Sequence, residues 1–378
     1  MVDNIRGMHT TGNILADRLQ FDWSGIYLRQ PNQFPLVVLL AKLAMEQALQ
    51  PKFNHFEEED VTDTVTVDGA MNDSVTTMVL DDNTSIVVGE VLHNPLTGEN
   101  FYVSAVDSGG TDLTVTRGYG GTTAAAVADD QDIRNIGPTA EEGGELASAV
   151  SSKVEIKYNY TQIYKKTIDL SKTLEASQLY GGKEEARLIA AKEREWKRAV
   201  NYSFQFGSRS LGTLNGRPIR QTGGLLEWIT TNVTDNSGAS LTEAQFEAFL
   251  ASVFQYGNTD RRVLIASPLL SRVITGFAKD KLQVFQGPET YGIRISRYES
   301  VEGTVDIVRD RLLKGATYGA WGWMLDLNNI KMKSLRSVKM RRNVQNPGDD
   351  AIKHEIIGEM GVKIIDERTH GIIKNFTA

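Results

Sequence analysis

Residues 183–206, KEEARLIAAKEREWKRAVNYSFQF, constrain this chain more than any other stretch. No glycine or proline interrupts them, and alanine, glutamate, lysine and arginine dominate, so the local preference is helical. As an α-helix they run about 36 Å, which calls for a fold arranged along one rod. Ala186, Ile189, Ala190, Trp196, Val200 and Phe204 share one face. Glu193 and Lys197 fall in the same stripe, four apart with the acid first, the favourable order. Glu184–Arg187 and Glu195–Arg198 add pairs three apart. A stripe interrupted by an ion pair predicts a helix packed partly on its own domain and partly on a neighbour. Glu193, Arg194, Lys197 and Arg198 are its candidate contact residues.

Upstream, Val154, Ile156, Tyr158 and Tyr160 alternate as in a strand. A short helix follows with Ser171 or Asp169 as its cap, and Gly181-Gly182 stops it. Residues 60–135 read as four or five short strands rich in Val, Thr, Ile and Tyr, a small barrel or sandwich. Turns at Asp68-Gly69, Asp82-Asn83, Thr97-Gly98 and Gly109-Gly110 separate them. Residues 1–50 look like an arm: 1–35 lack periodicity, and 35–49 can form one short helix opening on Pro35. Downstream, 241–257 is an amphipathic helix capped by Thr242, 261–267 a strand, and 268–281 a helix opening on Pro268. Residues 304–313 and 320–327 read as strands, with Trp321 and Trp323 alternating onto one side as core residues. Further alternating strands follow to the end.

Charge is unevenly spread. Residues 51–150 carry 3 basic and 19 acidic side chains, a balance of −16, whereas 151–378 carry 34 and 25, a balance of +9. The basic remainder could face a polyanion, or the two blocks could attract each other. Lys331, Lys333, Arg336, Lys339, Arg341 and Arg342 form a basic strip, for which an acidic neighbour such as residues 51–150 is the favoured partner over DNA. No cysteine is present, which excludes disulfides, thiolate zinc sites and cysteine nucleophiles. No apolar run reaches the ~18 residues that span a bilayer, and no signal peptide is visible.

Motifs for chemistry are missing from the sequence. There is no phosphate-binding GxxxxGK[ST] loop and no GxSxG elbow. His9, His55, His93, His354 and His370 are scattered without zinc spacing. The runs Glu57-Glu58-Glu59-Asp60 and Asp129-Asp130 read as solvated acidic loops rather than cation sites. No catalytic residue, cofactor or metal is expected, and the chain reads as a non-enzyme.

The block from Tyr160 to Gly207 resembles the extended-loop return strand and spine helix of tailed-phage major capsid proteins with the HK97-type fold. Thr161-Gln162-Ile163, Ser171-Lys172-Thr173, Tyr180-Gly181 and Glu185 stand in that family's order. The resemblance is closest to the SU10-like branch, whose β insertion is matched by Arg117-Gly118-Tyr119-Gly120-Gly121-Thr122, and Glu355 to Val362 fits the family's ending. It implies an α+β chain: an arm at 1–50, an extended loop at 51–168 with an all-β insertion at about 60–138, a peripheral domain at 169–215 and 331–378 with the spine helix, and an axial domain at 216–330. Arg117 and Tyr119 join the four helix residues as implied subunit-interface positions. The implied function is self-assembly, as hexamers and pentamers, into the icosahedral head shell around double-stranded DNA. Packaged DNA touched non-specifically, portal, scaffolding and decoration proteins are the implied partners, with assembly in the host cytoplasm and residence in the virion. An encapsulin-like nanocompartment shell and a β-rich carbohydrate- or cation-binding module are the alternatives.

Overall fold

The computed structural model describes residues 34–43, 45–107, 111–143, 149–177, 183–277 and 295–377. The expected arm up to residue 33, the Gly109-Gly110 turn and the Tyr180-Gly181-Gly182 break lie outside them. Two compact units result: a β unit of residues 56–157, and a main unit of the described residues up to 55 and from 158 onward.

In chain order, α1 (Pro35–Lys42) precedes β1 (Glu46–Gln47) and β2 (Lys52–Glu58). The β unit supplies β3 (Thr64–Thr66), β4 (Thr77–Val79), β5 (Glu90–His93), β6 (Asn100–Val106), β7 (Asp112–Thr116) and β8 (Asp132–Pro138). The chain returns on β9 (Val154–Tyr160), which pairs with β2, and continues into β10 (Gln162–Ser171), α2 (Lys172–Ala176) and the long α3 (Glu184–Phe206). A hairpin of β11 (Ser210–Leu214) and β12 (Arg217–Gln221) follows, then α4 (Leu225–Trp228), β13 (Val233–Asp235), α5 (Glu243–Phe254), β14 (Arg261–Ala266) and α6 (Pro268–Phe277). The remaining elements are β15 (Ile295–Glu299), β16 (Thr304–Arg309), α7 (Gly315–Tyr318), β17 (Trp321–Leu325), β18 (Ile330–Arg341), β19 (Ala351–Ile364) and β20 (Gly371–Lys374).

Local chemistry sets the helix ends. The Ser171 hydroxyl accepts from the Leu174 N–H to start α2. Thr242 and Gln245 form a reciprocal capping box on α5, and Pro268 opens α6. Glu184 and Glu185 occupy the first turn of α3, where negative charge complements the helix dipole. At its other end, the α3 backbone approaches that of Gly224 so closely that an added Cβ would lie 2.7 Å from the carbonyl oxygens of Ser203 and Phe204.

Besides the β11–β12 hairpin, the described residues of the main unit form two sheets. In the first, ordered β1-β18-β19-β10, β10 and β19 pair antiparallel from Gln162↔Met360 to Ser171↔Ala351. The C-terminal half of α3 packs on it through Trp196, Val200 and Phe204. Trp196 Nε1 donates to the Tyr164 carbonyl at 3.2 Å, and the Tyr164 hydroxyl donates to Ser203 Oγ at 2.8 Å. In the second sheet, ordered β13-β20-β17-β14-β16-β15, the central strands β20, β17 and β14 are buried on both faces. Val263, Ile265, Trp323 and Leu325 point into the core shared with α3, while Leu264, Ala266 and Met324 point into a second core under α5 and α6. This is why β14 reads as a continuous apolar run. Across its loop end, the buried Arg262 pairs with Asp326 at 3.1 Å, and Asp326 N–H donates to His370 Nδ1 at 3.2 Å. Burial lowers the His370 imidazole to about 4, so it stays neutral there.

The β unit is a six-stranded sheet ordered β3-β8-β5-β6-β7-β4. Its two outer strands are bridged to each other, with Val67 opposite Leu80, Asp68 N–H donating to the Val79 carbonyl and Asp81 N–H to the Thr66 carbonyl, both at 3.0 Å. The sheet thus closes into a small barrel, which leaves fewer open edges, around Val65, Met78, Leu92, Phe101, Val103, Leu113 and Ile133.

Several expectations fail where long-range contacts override local preference. Residues 35–49 do not form one helix. It ends at Lys42, and Glu46–Gln47 adds as a parallel strand to β18 because Lys331 and Lys333 bind Glu46 at 2.8 and 2.5 Å. Ala186 and Ala190 are exposed, and the buried residues of α3 all lie from Trp196 onward. Glu195 bonds Lys192 and approaches Lys166 of β10 instead of pairing with Arg198. Residues 371–374 leave the β18–β19 pair and insert between β13 and β17 in the second sheet.

The Glu46 clamp makes the first prediction. Its bond to Lys331 first, and to Lys333 next, holds its carboxyl at about 2, below the ordinary 4.5. The lowered folded value means the stabilisation is present above pH 4.5 and lost as pH falls towards 2. It is of order 1 kcal/mol, because the lysines are partly exposed. Hydrogen exchange at residues 46–48 is therefore expected to accelerate over that pH window, once corrected for the intrinsic rate, and Glu46→Gln to show the faster exchange already at neutral pH. Exchange in the wild type that is flat across the window would show that the clamp contributes nothing.

Candidate assembly surfaces

The six positions proposed from sequence separate into three environments. Arg117 faces inward. Its side chain is 8% exposed, and its Nε and Nη2 grip the fully buried Glu99 carboxylate at 2.7 and 2.8 Å. Nη1 donates to the carbonyls of Asn72 and Val75 at 2.6 and 2.9 Å, and Nη2 also to that of Ala125 at 2.5 Å. All five guanidinium N–H groups are thus used inside the β unit. Burial pushes the Glu99 carboxyl up, but Arg117 and the N–H groups of Ala125 and Gly118 outweigh it and hold the group below its ordinary value. The interface role implied for Arg117 has no donor left to carry it; the motif is a staple of the barrel. Gly118, Gly120 and Gly121 all take positive φ, as the turn around the staple requires. Tyr119 is half-buried and stacks on Tyr102 at 5.2 Å between ring centroids.

On α3, Glu193 and Lys197 are exposed partners at 2.6 Å. Arg194 and Arg198 are half-buried on the adjacent stripe, and the Arg198 Nε is buried without a hydrogen-bond partner. Farther along that stripe, buried Gln205 Nε2 donates to Asp310 Oδ2 at 3.1 Å, where burial raises the Asp310 carboxyl. The helix therefore carries a mixed charged surface on its early turns and a packed one on its later turns.

Four of the six basic side chains of the strip, Lys331, Lys333, Arg336 and Arg341, meet acids within the main unit itself. Besides the Glu46 clamp, Arg336 pairs with Glu359 at 2.7 Å and Arg341 with Glu355 at 3.5 Å. These two glutamates come from β19, where the antiparallel register sets them opposite Arg336 and Arg341. Trp321 and Trp323 pack together and against Phe206, as core residues should.

One surface escaped sequence reasoning: the β11–β12 hairpin. Asn215 and Gly216, with φ of 50° and 72°, form its two-residue turn, and an Asn-Gly pair between short apolar strands is the signal that would have found it. Its base is held firmly. Arg209 Nη1 donates to the Tyr158 carbonyl at 2.6 Å, its guanidinium lies 4.3 Å from the Tyr158 ring, and Asn159 exchanges hydrogen bonds with Gly223 at 2.8 and 2.9 Å. Beyond that base Leu211, Leu214 and Ile219 are each more than half exposed.

Among the described residues, no group of three His, Asp or Glu side chains is arranged to hold a metal ion. An open cavity of about 500 Å³ between β13 and α5 is lined by Thr231, Asn232, Asp235, Asn236, Gln245 and Ser252 among others. Its polar groups are largely engaged with one another and with the fold: Asn236 donates to Gln245, and Asp235 accepts from Asn375.

Comparison with known proteins is specific. The family model of the SU10 major capsid protein matches residues 10–377. A major capsid protein of Pseudomonas phage PaMx41 is 24% identical over 353 residues, covering 87% of this chain and 82% of the relative. Among solved structures, the capsid of Myoviridae phage XM1 aligns over 97% of this chain and all of its own, with a TM-score of 0.50 at 12% identity. The capsid of a native GTA particle covers 96% and 97%, with a TM-score of 0.50 at 10% identity. A long helix across a strand sheet, a second mixed sheet and a β insertion thus meet in a chain that belongs to the SU10 major capsid protein family, a tailed-phage major capsid protein with the HK97-type fold.

Proposed function

We propose that this chain self-assembles, as hexamers and pentamers, into the icosahedral head shell that encloses the double-stranded DNA of a tailed bacteriophage. The match to a capsid family over residues 10–377 is the observation that carries this reading. The second sheet with α5 and α6 serves as the axial domain. The first sheet with α3 serves as the peripheral domain, and β2, β9 and the barrel between them form the extended loop that lies over a neighbour. Of the expected arm, residues 34–48 belong instead to the subunit's own core and first sheet. Many individually weak contacts, made at once, hold the shell while leaving each reversible during assembly. The role is structural and not catalytic. DNA contact is non-specific and salt-dependent. Portal, scaffolding and decoration proteins are partners, and assembly takes place in the host cytoplasm. An encapsulin-like shell would share the fold, but the family match favours the viral reading over it.

Negative-stain electron microscopy of the purified protein after a sizing column tests the reading. Closed shells, tubes or rings of five or six subunits are expected. A chain that stays monomeric at high concentration, with or without scaffold or crowding agent, would overturn it. Replacing residues 61–138 by a short Gly-Ser link is expected to leave the main unit folded but to weaken shells. The cut ends are near each other, since Asn135 N–H donates to the Asp63 carbonyl at 2.7 Å. Normal particles from this deletion would contradict the role given to the loop.

A further inference from the structure

Where the last turns of α3 meet the loop after β16, the fold buries a carboxyl with no cation paired to it. Asp310, Asn201 and Gln205 are each fully buried there. The Asp310 N–H donates to the Ala266 carbonyl at 2.8 Å, extending the β14–β16 pairing and fixing where the side chain starts. Its Oδ1 accepts from the Leu312 N–H at 2.8 Å and its Oδ2 from Gln205 Nε2 at 3.1 Å. Both donors are neutral. Arg309 and Arg311, on either side in the chain, are exposed. On α3, Tyr202 is pushed up by its own burial first and by the Asp310 charge next, with Arg198 opposing and Tyr318 of α7 adding to the rise.

A buried carboxylate without a cation is costly, and protonation is its usual escape. Burial is the largest influence on Asp310 and pushes its carboxyl above the ordinary 3.8, against the bonds from Leu312 and Gln205 and the nearby Asn201 amide. Asn201 is near enough to act on the carboxyl, yet neither of its amide atoms makes a well-formed hydrogen bond, and Gln205 Oε1 has no partner either. Two buried amides, four residues apart on one helix face, thus stand at one carboxyl with unused bonding capacity. An amide donates through nitrogen and accepts through oxygen. Turned one way it serves a carboxylate, and turned the other way it accepts the O–H of a carboxylic acid.

We propose that Asp310 is a proton-binding joint between α3 and the second sheet: in mild acid it takes a proton from solvent, the Gln205 and Asn201 amides turn to accept its O–H, and the helix is held more firmly on the loop after β16. Because the folded value lies above the ordinary one, this contribution is fully present below 3.8 and is lost as pH rises through the folded value. The Glu46 clamp and the Glu99 pair respond in the opposite sense, so acid loosens the β1 edge and the barrel while it firms the joint. All three joint residues lie in the main unit of one copy, so the joint acts whether or not the chain forms a shell.

Urea unfolding of the full chain, followed by tryptophan fluorescence across a pH series, tests the joint. Asp310→Asn replaces the acid by a group of the same shape that cannot ionise, and comparing it with wild type at each pH cancels the titration of other groups. The variant is expected to unfold at higher urea than wild type at neutral pH, with the gap closing as pH falls towards 3.8. Gln205→Met removes a donor to the carboxylate and is expected to lose more stability at neutral pH than in acid. An Asp310→Asn chain less stable than wild type by the same amount at every pH would overturn the joint, since the carboxylate would then be ionised and stabilised where it stands. Wild-type stability that falls when tetramethylammonium replaces Na⁺ or K⁺ at equal ionic strength, with Asp310→Asn insensitive to the exchange, would assign the site to a bound cation and also overturn it. If Asp310→Asn fails to fold, the Gln205→Met profile decides: an equal loss at neutral and acid pH overturns the joint.

Discussion

Arg117→Ala is expected to unfold the β unit while leaving the main unit folded. The substitution strips the one cation from Glu99, whose side chain has no access to water. It also frees the carbonyls of Asn72, Val75 and Ala125, which hold the turn segments around the barrel. Breaking a buried pair from one side costs about 3–5 kcal/mol, because the remaining charge stays buried and uncompensated. A domain of this size has a total stability of about 5–15 kcal/mol. Arg117→Lys rescues little, since an ammonium offers three donors from one atom where five in a planar fork are used. Limited proteolysis provides the readout: cleavage within residues 56–157 at protease levels that leave the main unit whole. Equal resistance of Arg117→Ala and wild type would show that the staple is not what holds the barrel. The same pair gives a pH dependence. The Glu99 carboxyl is lowered on folding, so its contribution is present above the ordinary glutamate value of 4.5 and disappears as the pH falls through the lower folded value.

Trp323→Ala is expected to destabilise the main unit by about 3–5 kcal/mol, the range for emptying a large aromatic site. Trp323 is fully buried in the core that joins the second sheet to α3, with Phe206 and Trp321 rings 5.4 Å away. The void would open between the two sheets, where neither can collapse without breaking strand register. Its Nε1 is buried without a hydrogen-bond partner, so the indole contributes through volume and not through its polar atom. Trp323→Phe therefore sheds an unsatisfied N–H and loses less volume, and about 1–2 kcal/mol covers its expected cost. Urea unfolding of both variants checks this, with an unchanged slope indicating a change in stability alone. A Trp323→Phe chain as damaged as Trp323→Ala would mean that the nitrogen has a partner, such as bound water.

Much of the fold was legible because its signals are local. The helix read at 183–206 stands at Glu184–Phe206, since composition and capping act within a turn or two. Ser171, Thr242 and Pro268 start their helices for the same reason. Alternation and turn residues marked the β unit. Strand ends were less legible: the apolar run Ile86-Val87-Val88 precedes β5, which begins only at Glu90, and Val88 is half exposed. The candidate contact residues fared unevenly. Glu193 and Lys197 pair on the surface as their spacing predicts, because a helix places positions four apart together. Arg117 turned inward, since its partner Glu99 is brought to it by the β6–β7 hairpin and not by any spacing rule.

By itself the sequence determined which segments become the long helix, the capped helices and the β insertion, the lack of disulfides, and membership in a capsid family. Only the tertiary structure decided that Glu46 leaves a potential helix to join two lysines nearly 290 residues away, that β20 crosses into the second sheet, that the insertion closes as a barrel, and that the β11–β12 hairpin stands bare. The physical reason is range. Helix caps and strand alternation are energies between near neighbours, written in adjacent letters. Ion-pair choice, sheet order and exposure depend on which distant segments the topology brings together, and the same letters would serve several such arrangements.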